Sequence, residues 1–331
     1  MPFKPPYQIT DKILSLVSEI SEKLVKTDGK LNLNAKPHLR KNNKIKSVHS
    51  SLAIEANSLS LDEVKDVING LTVLGKQKEI REVKNAYDAY EKIGEFDIYN
   101  LDDLKRMHGI MTKYTVEESG VFRKGQEGVF NVDKCIFMAP PAKFVAEQME
   151  NLFNWMKSEK DNVHPLILSA VFHYEFVFIH PFSDGNGRMA RLWHTAILTK
   201  WKPVFEFIPI ESQIEKFQDG YYRAIAECHK DGESTKFIEF MLEQINAVLD
   251  EILNSSKIYS ENISEYVKKL LSAMEYDTPY TANSILDLLG LKSKETLRKN
   301  YLNPAISMGF VKMTLPDKPN SRNQRYIKIN S

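Results

Sequence analysis

The stretch Phe178–Arg191, FIHPFSDGNGRMAR, gathers a histidine, a carboxylate, an asparagine between two glycines and two arginines. It follows an apolar run, HPLILSAVFHYEFVFI, and Pro181 disfavours helical geometry at the residue before it, so that helix should end at His180. Ser183–Gly187 has the composition of a tight turn. A new helix should start near Asn186 or Gly187, because Met189, Leu192, Trp193 and Ile197 recur at helical spacing. Glycine-flanked N–H groups at a helix N-terminus form an anion nest. Arg188 and Arg191 lie three residues apart and share a face of the first turn. Two cations there oppose the helix dipole, a cost that a bound anion such as a polyphosphate would offset. Asp184, beside that cradle, is a hard oxygen ligand of the kind Mg²⁺ takes together with phosphate oxygens. His180 at the loop entrance could accept a proton from a hydroxyl near neutral pH. Taken singly these are a capping histidine, a turn acid and surface cations; the combination is what points to phosphate chemistry.

The elements that would hold this stretch are helices. Amphipathic spacing marks DKILSLVSEISEKLVKT, and a helix is expected over Ser47–Glu55 with a break near Asn57. Ser60 with Glu63 three residues on reads as a capping box for the next helix. KQKEIREVKNAYDAYEKIGEF and NLDDLKRMHGIMTKY, capped by Asn100, follow. GVFRKGQEGVFNVDKCIFMAPPAKF then breaks the pattern and reads as a loop and short hairpin. Helices resume and continue to about residue 255. Gly70–Gln77, GLTVLGKQ, nearly matches a phosphate-binding loop, but Gln77 replaces the final Ser/Thr and no buried strand precedes it, so it reads as a helix end and turn.

From about Ser256 the order is three helices, then FVKMTL and RYIKI joined by a turn-rich segment, the order of a winged helix-turn-helix. Lys257–Ser331 holds 12 Lys+Arg against 7 Asp+Glu, a net of +5, which leaves −4 for the rest of a chain whose net charge is +1. This part could meet nucleic acid or an acidic protein, and fold alone does not choose between them. Composition is otherwise that of a globular protein. Two cysteines, no apolar leader and no apolar run of membrane-spanning length make a reducing cytoplasm the expected setting, with no membrane partner.

The residues His180-Pro181-Phe182-Ser183-Asp184-Gly185-Asn186-Gly187-Arg188-Met189-Ala190-Arg191 resemble, at every defined position, the Fic-family signature H-x-F-x-[DE]-G-N-G-R-x-x-R. The wider resemblance covers roughly residues 100–253. It implies a mainly α protein: a Fic-type helical bundle with a short β-hairpin flap, plus the C-terminal winged helix-turn-helix. The expected division is an N-terminal helical region 1–98, a Fic core 99–255 and a winged domain 256–331. Fic enzymes mostly move AMP from ATP to a Ser, Thr or Tyr hydroxyl of a target protein. The resemblance therefore implies His180 as general base and Asp184 as the Mg²⁺ ligand. Gly185, Asn186 and Gly187 would bind the α- and β-phosphates, with Arg188 supporting them and Arg191 meeting the γ-phosphate.

Upstream, Ser51-Leu52-Ala53-Ile54-Glu55-Ala56-Asn57 resembles the family's inhibitory helix motif, [ST]-x-x-x-E-[GN], with Ala56 departing from it. By that resemblance Ser51 and Glu55 form a built-in inhibitor in which Glu55 pairs with Arg191 in the γ-phosphate's space. The hairpin at 127–140 resembles the flap that holds a target segment by strand pairing. Tyr221 and Tyr222 match tyrosines beside the adenine; adjacent helical residues do not share a face, so one stacks and the other is core, and Tyr222 is the expected stacker. The reading is thus an autoinhibited, Mg²⁺-dependent protein adenylyltransferase, with a homodimer among the assemblies relatives show. Its alternatives are removal of AMP, transfer of another nucleotide or group, or a nucleotide-sensing DNA-binding regulator acting through the winged helix at Lys292, Lys294, Arg298 and Lys299.

Overall fold

The computed structural model describes residues 3–31, 37–131, 134–261, 264–275, 278–319 and 321–329. The chain forms two compact units, Met1–Leu253 and Asn254–Ser331. The first begins with α1 (Asp11–Leu31), α2 (Pro37–Ala53), α3 (Leu61–Ile68), α4 (Gln77–Glu91) and α5 (Leu101–Met111). Strands β1 (Gly128–Asn131) and β2 (Lys134–Met138) follow, then α6 (Val145–Glu159), α7 (Pro165–Ile179) and α8 (Asn186–Trp201). α9 (Ile210–Lys216), α10 (Gln218–Asp231) and α11 (Thr235–Glu261), which runs on past Leu253, complete the series.

Helix α7 is apolar on nearly every side, so it lies in the centre of the unit, where Phe172, Phe176 and Leu168 are buried. Pro165 opens it at the first turn, where no N–H is required, and His164 caps it. α8 returns beside it, and Trp193, fully buried, stacks on Phe96 at 4.7 Å between ring centroids. Residue 98 marks no boundary in the packing. Ile13, Ile20, Val48, Leu52 and Val83 share one core with Phe172, Trp193 and Met241.

α2 begins well before the expected Ser47. Its first half, PHLRKNNKIK, lacks apolar periodicity, and tertiary contacts hold it: Lys44 is buried, 2.7 Å from Glu91 and 3.0 Å from Glu206. The capping box at Ser60 and Glu63 is present in both directions. Gly70–Gln77 links α3 to α4, with Gly70 left-handed, so the near-match to a phosphate loop is a helix end and turn. β1 and β2 pair antiparallel, with a register shift between Val129 and Phe130, and Ala139 N–H donates to Glu127 O at 3.0 Å.

The second unit comprises α12 (Glu265–Ala273), β3 (Pro279–Tyr280), α13 (Ala282–Leu289), a helix built from α14 (Lys294–Thr296), a π turn (Leu297–Leu302) and α15 (Asn303–Ser307), then β4 (Val311–Met313) and β5 (Tyr326–Lys328). The sheet is antiparallel in the order β3-β5-β4. Val267, Leu270, Ile285, Leu297, Tyr301 and Phe310 form its own core. β3 was not expected from the sequence, because a two-residue strand carries no alternation to read. Among the described residues no helix is long and apolar enough to cross a membrane.

Candidate active site

The loop between α7 and α8 carries the clustered polar residues. α7 ends on His180, which is left-handed (φ 51, ψ 60) and whose N–H donates to Phe176 O at 2.9 Å. A non-glycine residue in this region costs roughly 1–2 kcal/mol, so its surroundings must hold it there. The His180 Nδ1 lies 3.3 Å from Val177 O. A carbonyl can only accept, so Nδ1 carries the proton and Nε2 keeps its lone pair. Burial pushes the imidazole pKa below its usual 6.5, and Arg123 adds to this, while the Val177 carbonyl, Glu55 and Asp184 act against it. The ring is therefore neutral and basic at neutral pH.

Gly185 caps α8 in the left-handed conformation (φ 82). The first N–H groups of an α-helix have no intrahelical acceptor, and here they belong to Asn186, Gly187 and Arg188. The Asn186 side chain is turned inward: Phe182 N–H donates to its Oδ1 at 2.9 Å, and its Nδ2 donates to Phe182 O at 2.7 Å. What Asn186 can offer a ligand is its backbone N–H. The Asp184 Oδ1 accepts from Gly185 N–H at 2.5 Å and from Arg188 Nη2 at 2.8 Å, leaving Oδ2 outside those bonds.

Arg191 is 1% exposed. Its Nη2 donates to Glu55 Oε1 at 2.7 Å and to Ser51 O at 2.9 Å, and its Nε donates to Ser51 Oγ at 3.0 Å. Residues 51 and 55 thus meet residue 191 across more than a hundred positions of sequence. A Cβ at Gly187 would run into Glu55 Oε1, so the carboxylate fills the space over the first turn of α8. Burial works against the arginine's charge, but Glu55 outweighs it and its pKa is raised. Among the described residues, the Nη1 of Arg191 and Nε of Arg188 are buried without a hydrogen-bond partner. Orphaned donors of this kind beside a helix N-terminus suit a polyanion.

The two tyrosines divide as adjacent helical residues must. Tyr221 is buried, with its OH 2.9 Å from His173 Nε2. Tyr222 is half-exposed and donates to Ile54 O at 3.4 Å, joined there by Gln218 Nε2 at 3.1 Å. Both bonds fall on the turn that ends α2. That turn contains the departure from the inhibitory motif: Ala56 has φ 63, the conformation for which glycine or asparagine is suited. Ala56→Gly removes left-handed strain of roughly 1–2 kcal/mol against an unfolded-state entropy cost of roughly 0.5–1 kcal/mol. The expected outcome in urea unfolding is a net gain of about 0.5–1 kcal/mol.

Several supporting residues escaped the sequence reading. His108 Nε2 donates to Asp184 O at 2.9 Å, its Nδ1 accepts from Gly120 N–H at 2.9 Å, and its ring stacks on Phe182 at 3.6 Å. Its signal was present: Leu104, Met107, His108 and Met111 form the buried stripe of α5. Glu82 of α4 accepts from Asn57 Nδ2 at 3.0 Å and lies 3.6 Å from Arg188 Nη1. Glu211 Oε1 accepts from Tyr90 OH at 2.8 Å and Thr195 Oγ1 at 2.9 Å, all buried. Neither acid has a local signal, because its partners come from distant helices.

Burial lowers the pKa of His108 and of His194, each to about 4. The unfolded chain then binds protons that the folded one refuses between about pH 6.5 and 4. Stability is therefore full above about pH 6.5 and falls as the pH drops through that window. For wholly buried His194 the loss is on the order of 3 kcal/mol, from roughly 1.4 kcal/mol per unit. Melting curves between pH 7 and 4 should show this fall, and His194→Gln should flatten part of it.

The Fic/DOC family model matches residues 98–198, and the model for the C-terminal domain of Fic-like proteins (filamentation induced by cAMP) matches 265–327. A protein adenylyltransferase Fic of Nematostella vectensis is 31% identical over 224 residues, 64% of this chain and 49% of that protein. A protein adenylyltransferase of Caenorhabditis elegans is 28% identical over 228 residues, 65% of this chain and 42% of that one. The chain spans about half the length of the curated relatives it matches. The crystal structure of a Fic family protein from Desulfovibrio desulfuricans aligns over 99% of both chains, at 39% identity and a TM-score of 0.74. With the signature loop built as described and a relative alike along nearly its whole length, this chain belongs to the Fic family.

Proposed function

We propose that this protein is a protein adenylyltransferase that moves AMP from ATP to a hydroxyl side chain of a target protein, held in check by Glu55. The observation that carries the reading is the Glu55–Arg191 pair lying over the N-terminus of α8, within a site whose curated relatives are named adenylyltransferases. The α8 N–H groups and Arg188 take the α- and β-phosphates, and Arg191 takes the γ-phosphate once Glu55 withdraws. His180 accepts the hydroxyl proton at Nε2. The hydroxyl oxygen attacks Pα, the bond to the β-phosphate oxygen breaks, and pyrophosphate leaves. Catalysis is then positioning plus neutralisation of charge on phosphate oxygens. Tyr222 is the side chain we assign to the adenine, and Tyr221 to the core.

Among the described residues no group of three or more His, Cys, Asp or Glu side chains could hold a metal alone. One free carboxylate oxygen beside an anion nest nevertheless fits Mg²⁺, which takes its other ligands from phosphate and water. Asp184 is the residue we assign to it, with charge neutralisation as its chemical contribution. The test is label transfer. ATP labelled at Pα should mark protein in the presence of Mg²⁺, ATP labelled at Pγ should not, and chelation should abolish the signal. Equal labelling from both positions, or none from Pα even with Glu55→Gly, would overturn the assignment.

The second unit supports a companion reading as a winged helix. Lys292, Lys294, Arg298 and Lys299 are all exposed, in a segment of net charge +5. If this unit meets nucleic acid, binding of a duplex should weaken steeply with salt. A mobility-shift titration without salt-sensitive binding would leave a protein partner as its role.

A further inference from the structure

Arg123 precedes the hairpin and is 3% exposed. Among the described residues its side chain makes no hydrogen bond to a carboxylate, and each acceptor is a main-chain carbonyl. Nε donates to His180 O at 2.6 Å, and Nη2 donates to Pro140 O at 2.6 Å and Ile179 O at 3.3 Å. Nη1 donates to Gly125 O at 2.8 Å. The Arg123 backbone N–H donates to Pro181 O at 2.9 Å. These acceptors fall into three segments. Gly125 stands before β1 and Pro140 after β2, so they are the two feet of the hairpin. Ile179, His180 and Pro181 are the turn that ends α7.

A charge taken out of water carries a desolvation cost that its hydrogen bonds must offset. A guanidinium presents five donors in a rigid fork, so one side chain can reach acceptors on three segments; an ammonium converges its donors on one point. One of the two shortest bonds, both 2.6 Å, goes to the left-handed residue. His180 is thus fixed from both sides: its N–H by Phe176, its carbonyl by Arg123. Release of that carbonyl would let the residue relax toward ordinary backbone geometry and turn its imidazole away from the loop.

We propose that Arg123 is a positioning residue that locks the His180 main chain and both feet of the β1–β2 hairpin into one unit, so that the base and a target segment lying on the hairpin are registered together. The functional half of this inference rests on the transferase reading above. The structural half does not, and the two are separable by experiment.

The test uses the full chain carrying Glu55→Gly, with Arg123→Lys and Arg123→Met added singly. Hydrogen exchange is read at the paired hairpin amides and, as control, at Phe172 and Phe176 of α7. The His180 ring nitrogens are read by NMR. Arg123→Lys should speed hairpin exchange by at least ~10-fold while the α7 amides hold. His180 should pass from one Nδ1–H tautomer to a mixture in the same variant. Transfer to protein should fall at least ~10-fold with ATP affinity held within ~2-fold, since the anion nest is tied by Asn186 and His108 instead. Movement of the hairpin without the histidine, of the histidine without the hairpin, or of neither, would overturn the inference. So would equal loosening of the α7 amides, which marks a merely structural arginine. If the Glu55→Gly parent transfers no label, the transferase reading fails, and exchange and NMR still decide the role of Arg123.

Discussion

Glu55→Gly should bind ATP more tightly while being less stable. In the resting protein Glu55 Oε1 takes the Arg191 Nη2 donor at 2.7 Å and crowds Gly187 at the head of α8. A nucleotide whose phosphates approach that helix end must remove the carboxylate first. Binding measured by calorimetry therefore includes the cost of breaking one charge-assisted bond, and deleting the carboxylate removes it. A gain of at least ~10-fold in ATP affinity, about 1.4 kcal/mol, is expected. The same deletion leaves Arg191 buried with Ser51 as its remaining partner in the α2 motif. Loss of a hydrogen bond to a charged group costs about 1.5–3 kcal/mol, moderated here because the carboxylate is a third exposed. Adding saturating ATP should recover the melting temperature in the variant more than in the parent. Unchanged ATP affinity alongside lowered stability would mean that Glu55 is an ordinary structural acid.

His180→Ala should lose transfer without losing nucleotide. The ring is neutral, its Nδ1–H is tied to Val177 O, and Nε2 holds the lone pair a weak protein hydroxyl requires. In the Glu55→Gly background the rate should drop at least ~100-fold. ATP affinity should stay within ~2-fold, because no phosphate donor comes from this side chain. The pH profile carries an independent check. Burial lowers the histidine's pKa, so the base form persists below pH 6.5 and the acid limb of the rate should lie under that value. An acid limb at or above 6.5, or a variant that keeps its rate, would remove His180 as the base.

Local rules carried much of the fold. Apolar spacing and caps located most helices, and the Ser60–Glu63 box is present as expected. The end of α7 at His180 and the start of α8 at Asn186 followed from Pro181 and the glycines. The first half of α2 was not legible, because Lys44 holds it through Glu91 and Glu206, residues from elsewhere in the chain. β3 was not legible either, being two residues long.

The site divides in the same way. The polar residues of Phe178–Arg191 are contiguous, and the turn that brings them together depends on local backbone preferences. Asn186 shows the limit of that reading: its side chain bonds back to Phe182 instead of facing a ligand. Glu55 could be suspected from its motif, but that its carboxylate reaches Arg191 depends on how α2 packs beside α8. His108 was visible as a polar residue on an apolar stripe, while Arg123 had no local sign, since its acceptors at 125, 140, 179 and 180 converge only when α7 and the hairpin meet. The sequence by itself determined which polar groups gather in the loop at the start of α8, because covalent neighbours and short-range backbone rules need no further context. Only the tertiary structure decided which donors are occupied, which are left orphaned and which acid sits upon them, because burial and long-range approach set the strength of every charge in the site.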